Sequence, residues 1–198
     1  MTPVIETKRL VLRPPCTTDA ESIVRHLNNF AVAGNLSRVP YPYRRADADR
    51  WLAQQRSDLP PEETQFAIEL LGVGYIGSVG FHDEVFGPVI GYWLGEPFWH
   101  RGLMTEAAGA ALDWYFWASD ALLIGCGAFA FNKASLAIQK KLGFTVTGYS
   151  TRHCLARGEE VRHIDTELSR NDWAEAARAR QAPIPAPRVD GATGRDST

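Results

Sequence analysis

Three short runs between Gln65 and Leu94, QFAIELLG, YIGSVGFH and VIGYWLG, are β-branched and aromatic and are parted by glycine or acidic turns. Runs of this length and spacing predict an antiparallel meander. The pattern then changes period. EPFWHRG leads into MTEAAGAALDWYFWA, a long apolar-rich helix, then into the buried-looking strand ALLIGCGAF and a second helix, NKASLAIQKKLG, with Asn at its N-cap position and Gly at its end. A meander continued by helix, strand and helix predicts a mixed sheet with helices on its faces.

The flanks complete that picture. RLVLRP, Arg9 to Pro14, reads as the strand that opens the domain and stops at a double proline. TTDAESIVRHLNN has a Thr and Asp start and apolar residues at helical spacing, so it predicts an amphipathic helix. NLSRVPYPY breaks it, and RRADADRWLAQQRSD supplies another helix. FTVTGYSTRHCLA and EEVRHIDTELS read as two strands about the turn at Arg157 and Gly158. Residues 1–175 are expected to form one domain, and 176–198, rich in proline, glycine and small polar residues, a flexible tail.

Composition narrows the function classes. The chain has 198 residues, 45% of them hydrophobic, and a formal net charge of −2, so no global positive field draws it to nucleic acid or an anionic membrane. Its first residues are charged where a signal peptide needs an apolar core, and no run approaches membrane-spanning length, which predicts a cytoplasmic protein. Cys16, Cys126 and Cys154 lie far apart, and the five histidines include no pair at i,i+4, so neither a disulfide framework nor a metal site is expected.

WHRGLMTEA, Trp99 to Ala107, has one glycine before a helix start and no acid until Glu106. A helix N-terminus presents unpaired N–H groups and the positive end of the dipole, a place a phosphate fits. A tight strand-to-helix turn that needs Gly102 only for its backbone freedom explains the same residues. The segment alone favours the plain turn.

Taken in order, ETKRLVLRP, IGYWL, FWHRGLMTEA, NKASLAIQKKLGF and LSRNDW span about residues 6 to 173, and together they resemble the GNAT superfamily of acyl-CoA-dependent N-acetyltransferases. More narrowly they resemble its RimJ/RimL-type branch, whose members acetylate ribosomal-protein N-termini or other small and peptide amines. The resemblance implies a mostly antiparallel central sheet flanked by helices, with two splayed parallel strands, VIGYWL and LIGCGAF, forming an acyl-CoA cleft.

It further implies that acetyl-CoA is the cosubstrate. Its pyrophosphate would lie on the loop of Trp99, His100, Arg101, Gly102, Leu103, Met104 and Thr105, with Arg101 adding charge. The family usually carries a second glycine or small residue in this loop, where His100 and Met104 stand here. The pantetheine arm would pair with the backbone of Tyr92, Trp93 and Leu94, and an N–H there would hold the thioester oxygen. Asn132 would orient the coenzyme, Lys140 and Lys141 would reach its phosphates unless they only complement the helix end, and the Ser135 hydroxyl would lie by the sulfur to stabilise or protonate the departing thiolate.

The base has no single position. Many relatives have a Glu where this chain has Val89. His153 and Cys154 fall where others place a carboxylate, and His82, Glu84 and Glu69 are further candidates, with a neutral histidine suited to the role near neutral pH. Ser135, His153 and His82 are the expected catalytic residues. The acceptor is a primary amine of a protein N-terminus, a peptide or a small molecule, and a homodimer is common in the family. A non-catalytic acyl-CoA sensor of the same fold is the alternative that the missing Glu keeps open.

Overall fold

The computed structural model describes residues 2–56, 58–85 and 87–181. It contains an eight-stranded sheet in the order β1-β2-β3-β4-β5-β6-β8-β7. These strands are β1 (Ile5–Glu6), β2 (Leu10–Arg13), β3 (Gln65–Leu70), β4 (Gly74–Glu84), β5 (Gly87–Leu94), β6 (Leu123–Phe129), β7 (Thr145–Cys154) and β8 (Glu159–Ser169). Every adjacent pair is antiparallel except β5 with β6, so the expected mixed, mostly antiparallel sheet is what the chain forms.

The helices are α1 (Ala20–Leu27), α2 (Phe30–Ala33), α3 (Arg45–Leu52), α4 (Leu103–Ala118), α5 (Lys133–Leu142) and α6 (Arg170–Gln181). Two were harder to read. The Asn pair after Leu27 signals a stop, yet Asn28 ends α1 while the Asn29 side chain accepts the Ala31 N–H at 2.9 Å and starts α2. β1 holds only two residues, too few to show a period, and it takes its place by pairing Ile5 with Leu12. At the other end α6 runs past residue 175, and residues 182–198 of the expected tail lie outside the described residues.

Side-chain alternation divides the sheet between two cores. Phe66, Ile68, Val79, Phe81, Ile90 and Leu94 face α4, where Ala107, Ala108, Ala111, Leu112 and Tyr115 are fully or nearly fully buried. Small residues on α4 let it lie close to the strands, and Tyr115 stacks on Phe81 with ring centroids 4.4 Å apart. On the opposite face Ala67 and Tyr75 pack under α1, α2 and α3 with Ile23, Leu27, Val32, Ala48 and Leu52. Burying whole side chains of this size stabilises by about 1.5–3 kcal/mol each, so the two layers fix the sheet between them.

Candidate active site

The β5–β6 pair is joined at one position, Val89 opposite Gly125. Past it the strands part. The residues that follow, Ile90 to Leu94 on one side and Cys126 to Phe129 on the other, line a cavity of about 560 Å3. Gly125 keeps the joint close, since a Cβ there would lie 2.9 Å from Val89 Cγ1. The open edge of β5 has backbone groups with no ladder partner on its β6 side, which suits a ligand that adds as a strand.

One end of the cavity is the start of α4. Trp99 Nε1 donates to Leu94 O at 2.8 Å and ties the loop back to β5. His100 and Gly102 both adopt the left-handed conformation, φ 59° and 71°, so the chain turns sharply before the helix. The first helical N–H to find a carbonyl is that of Glu106, on Gly102 O at 3.2 Å, which leaves those of Leu103, Met104 and Thr105 turned toward the cavity end. Glu106 does not occupy that end. Its carboxylate accepts from Thr7 Oγ1 at 2.7 Å, Arg9 N at 2.8 Å and Arg9 Nε at 2.7 Å, and so anchors α4 to the β1–β2 turn rather than serving its own first turn. A helix start with free donors and no carboxylate in them fits a phosphate.

The start of α5 forms the opposite wall. Asn132 Oδ1 accepts the Ser135 N–H at 3.1 Å as the N-cap, and Gly143 at φ 94° ends the helix, as the sequence predicts. Ser135 Oγ lies 3.1 Å from the Tyr92 hydroxyl and accepts from Gln139 Nε2 at 3.2 Å. Gln139 is itself buried and its Oε1 accepts from Thr166 Oγ1 at 2.9 Å, which fixes the orientation of the amide. Gln139 donates to the Ser135 oxygen, and either hydroxyl of the Tyr92–Ser135 pair can donate to the other; when Tyr92 donates, the Ser135 proton is free to point into the cavity. Burial pushes the Tyr92 phenol far above its ordinary range, so it stays protonated, and burial likewise pushes the neighbouring Cys126 thiol up to about 12.

The face under α1–α3 carries a second polar group. Glu84 Oε1 is 3.0 Å from Arg38 Nη2 and 3.4 Å from His82 Nε2, and its Oε2 is 3.0 Å from Arg152 Nη1. Burial opposes its ionisation, but the hydrogen bond and charge of Arg152, with His82 and Arg38, outweigh that and lower its pKa. His82 is shifted down, first by burial and then by the Arg38 charge, so it is neutral at neutral pH.

Of the residues expected from sequence, His82, Tyr92, Trp93, Leu94, Trp99, His100, Gly102, Leu103, Met104, Thr105, Asn132 and Ser135 border this one cavity. Arg101, Lys140 and His153 lie outside its lining; of the two lysines expected there Lys141 borders the cavity, and His153 is half exposed on β7, 3.1 Å from Glu160 Oε1. The sequence does not point to the Tyr92 hydroxyl, Gln139 or His163 as parts of the site. Gln139 lies one helical turn past Ser135 on α5, and only the register of β8 against β6 brings His163 to the site.

A model of the acetyltransferase (GNAT) domain matches residues 9–145. An uncharacterized N-acetyltransferase of Bacillus subtilis, YoaA, is 26% identical over 167 residues, covering 80% of this chain and 92% of that protein. The ribosomal protein uS5-alanine N-acetyltransferase of Escherichia coli is 30% identical over 102 residues, 50% of this chain and 53% of that one. Among solved structures, Mycobacterium smegmatis RimJ in complex with CoA-disulfide superposes with a TM-score of 0.72 at 19% identity, covering 86% of this chain and 89% of that chain.

Proposed function

The chain belongs to the GNAT acetyltransferase family and is an acyltransferase, and we propose that it moves an acetyl group from acetyl-CoA directly to a primary amine, the α-amine of a protein or peptide or the amine of a small molecule. The observation that carries this reading is the single Val89–Gly125 joint, which opens onto a free strand edge with Ser135 on the far wall. The family relation to amine acetyltransferases and the CoA-bound RimJ neighbour support it.

The residues fit the cosubstrate. The free N–H groups from Leu103 to Thr105 suit its phosphates, the β5 edge its extended arm, and Ser135 its sulfur. When bound, acetyl-CoA supplies the activated acyl group. Ser135 gives a proton to the departing sulfur, with Tyr92 and Gln139 holding its oxygen. A backbone N–H of β5 takes the charge that develops on the acyl oxygen. His82, neutral at working pH, accepts an N–H of the incoming amine. An α-amine, with an ordinary pKa of about 8 against about 10.4 for lysine, needs less help to be the free base.

A thiol-release assay against peptides with free N-termini and small primary amines tests the reading, with mass spectrometry of the amine. Thiol release matched by acetylated amine is expected. Binding of acetyl-CoA with no release on any amine would overturn the transferase in favour of a sensor.

A further inference from the structure

Two imidazoles flank the opening on the face under α1–α3, one over each splayed strand. His82 stands across the β4–β5 ladder from Val89, and a Cβ built on Gly91 would lie 3.5 Å from its Cε1 and 4.0 Å from its Nδ1. His163 stands on β8 across from Phe129, and a Cβ built on Gly127 would collide with its Cε1 and lie 3.0 Å from its Nε2. Gly91 and Gly127 are each two positions past the Val89–Gly125 joint, so the rings sit at matching heights on the two walls. Both border the cavity.

One carboxylate is hydrogen-bonded to a nitrogen of His163, and another lies nearest one nitrogen of His82. Glu84 Oε1 is 3.4 Å from His82 Nε2, and Asp165 Oδ1 is 2.8 Å from His163 Nδ1. An ionised carboxylate only accepts, so the nitrogen facing it carries hydrogen and the other keeps its lone pair. The lone-pair nitrogens are Nδ1 of His82 and Nε2 of His163, the two turned over the glycines.

We propose that the acceptor amine lies between these imidazoles, giving one N–H to each, and that His163, with Asp165 behind it, receives the proton lost as the amide forms. This rests on the transferase reading above. A neutral primary amine has one lone pair and two N–H groups. With the lone pair aimed at the acyl carbon, both N–H groups point away from it, and two acceptors on that side satisfy both. In the transfer the nitrogen–carbon bond forms as the carbon–sulfur bond breaks. His163 Nε2 takes one N–H proton and later gives it to solvent, and the Ser135 hydroxyl gives one to the sulfur and regains one from solvent, so both side chains end as they began. A secondary amine has one N–H, and its extra carbon would meet the second ring.

Charge assigns the proton to His163 rather than His82. Glu84 already holds two guanidiniums, and both repel a protonated His82. Asp165 makes no other ion pair among the described residues, so it is free to balance an imidazolium. The groups facing His163 are Asp165 on its own strand, Gly127 and Phe129 on β6, and Ser150 across the ladder on β7, whose buried hydroxyl finds no partner among the described residues. Arg152, next along that face of β7, is held by Glu84, and Arg157 lies over Phe131, which stacks on Phe129.

The test compares the wild-type chain with His163→Gln and Asp165→Asn by thiol release, using peptides that begin with glycine or with its N-methyl analogue, and measures acetyl-CoA affinity by calorimetry. The expected result is a roughly hundredfold lower kcat for His163→Gln, an acidic limb of its pH profile one unit shallower, and unchanged acetyl-CoA affinity. Asp165→Asn, which acts through His163, falls between the two. On the wild type the N-methyl peptide is expected to be at least about tenfold slower. A His163→Gln variant with wild-type kcat and slope, or equal rates on the two peptides, overturns the proposal and leaves the transferase standing. No release by the wild type on any primary amine overturns both.

Discussion

Replacing Tyr92 with phenylalanine removes one hydroxyl from the wall of the cavity and leaves the ring in place. Its partner, Ser135 Oγ at 3.1 Å, keeps the Gln139 Nε2 bond at 3.2 Å, so no buried group is orphaned. The stability cost is then that of one ordinary hydrogen bond, about 1 kcal/mol, or a drop of about 2–4 °C in Tm for a chain of this size. The kinetic cost is larger. As the Ser135 hydroxyl gives up its proton its oxygen gains charge, and a hydrogen bond to a charged group is worth about 1.5–3 kcal/mol, roughly 10- to 100-fold in kcat. Ser135→Ala removes the donor itself. The two groups act as one unit, so Tyr92→Phe in the Ser135→Ala background is expected to cost almost nothing further. Thiol release at saturating acetyl-CoA for the four proteins of this cycle gives the coupling. Equal losses from Tyr92→Phe in both backgrounds would refute the view that Tyr92 works through Ser135.

Two other perturbations read the framework. Glu106→Gln breaks the charged anchor between α4 and Arg9: burial raises the carboxyl's pKa, but the hydrogen bonds from Thr7 and Arg9 outweigh it and the folded value is depressed. A depressed carboxylate stabilises above its unfolded pKa of about 4.3 and loses that contribution as pH falls through the folded value, so the variant's Tm deficit, worth about 1 kcal/mol at neutral pH given that Arg9 is well exposed, closes below about pH 4; a deficit that persists at pH 3 argues against the ion pair. Arg170 donates to the carbonyls of Phe116, Ser119 and Ala121 and lies over the Phe116 ring, closing the end of α4 against the approach to β6. Arg170→Ala is expected to cost about 2–3 kcal/mol in urea melts, and Arg170→Lys to recover little of it because an ammonium cannot reach three carbonyls at once.

What could be read from residues alone follows the range of the interaction. Asn132 and Gly143 announce the ends of α5 because caps are local, and the glycines between Gln65 and Leu94 announce the meander for the same reason. The two residues of β1 are too short for a period, and α2 hides behind an asparagine that ends one helix while its neighbour starts the next. In the site, the anion-ready turn at Gly102 is legible because it is one backbone segment. The Tyr92–Ser135 pair joins residues 43 apart in sequence, and no local pattern announces it. His82 and His153 read alike in sequence; the ladder alone puts the first at the splay and sends the second to an exposed stretch of β7 beside Glu160.

The transfer requires that the gap between β5 and β6 receive acetyl-CoA. Calorimetric titration of the chain with acetyl-CoA, beside a Ser135→Ala variant, measures it directly. One saturable site of similar affinity in both proteins is predicted, since binding rests on the α4 start and the β5 edge rather than on the serine hydroxyl. A flat titration of the wild-type chain would contradict the account.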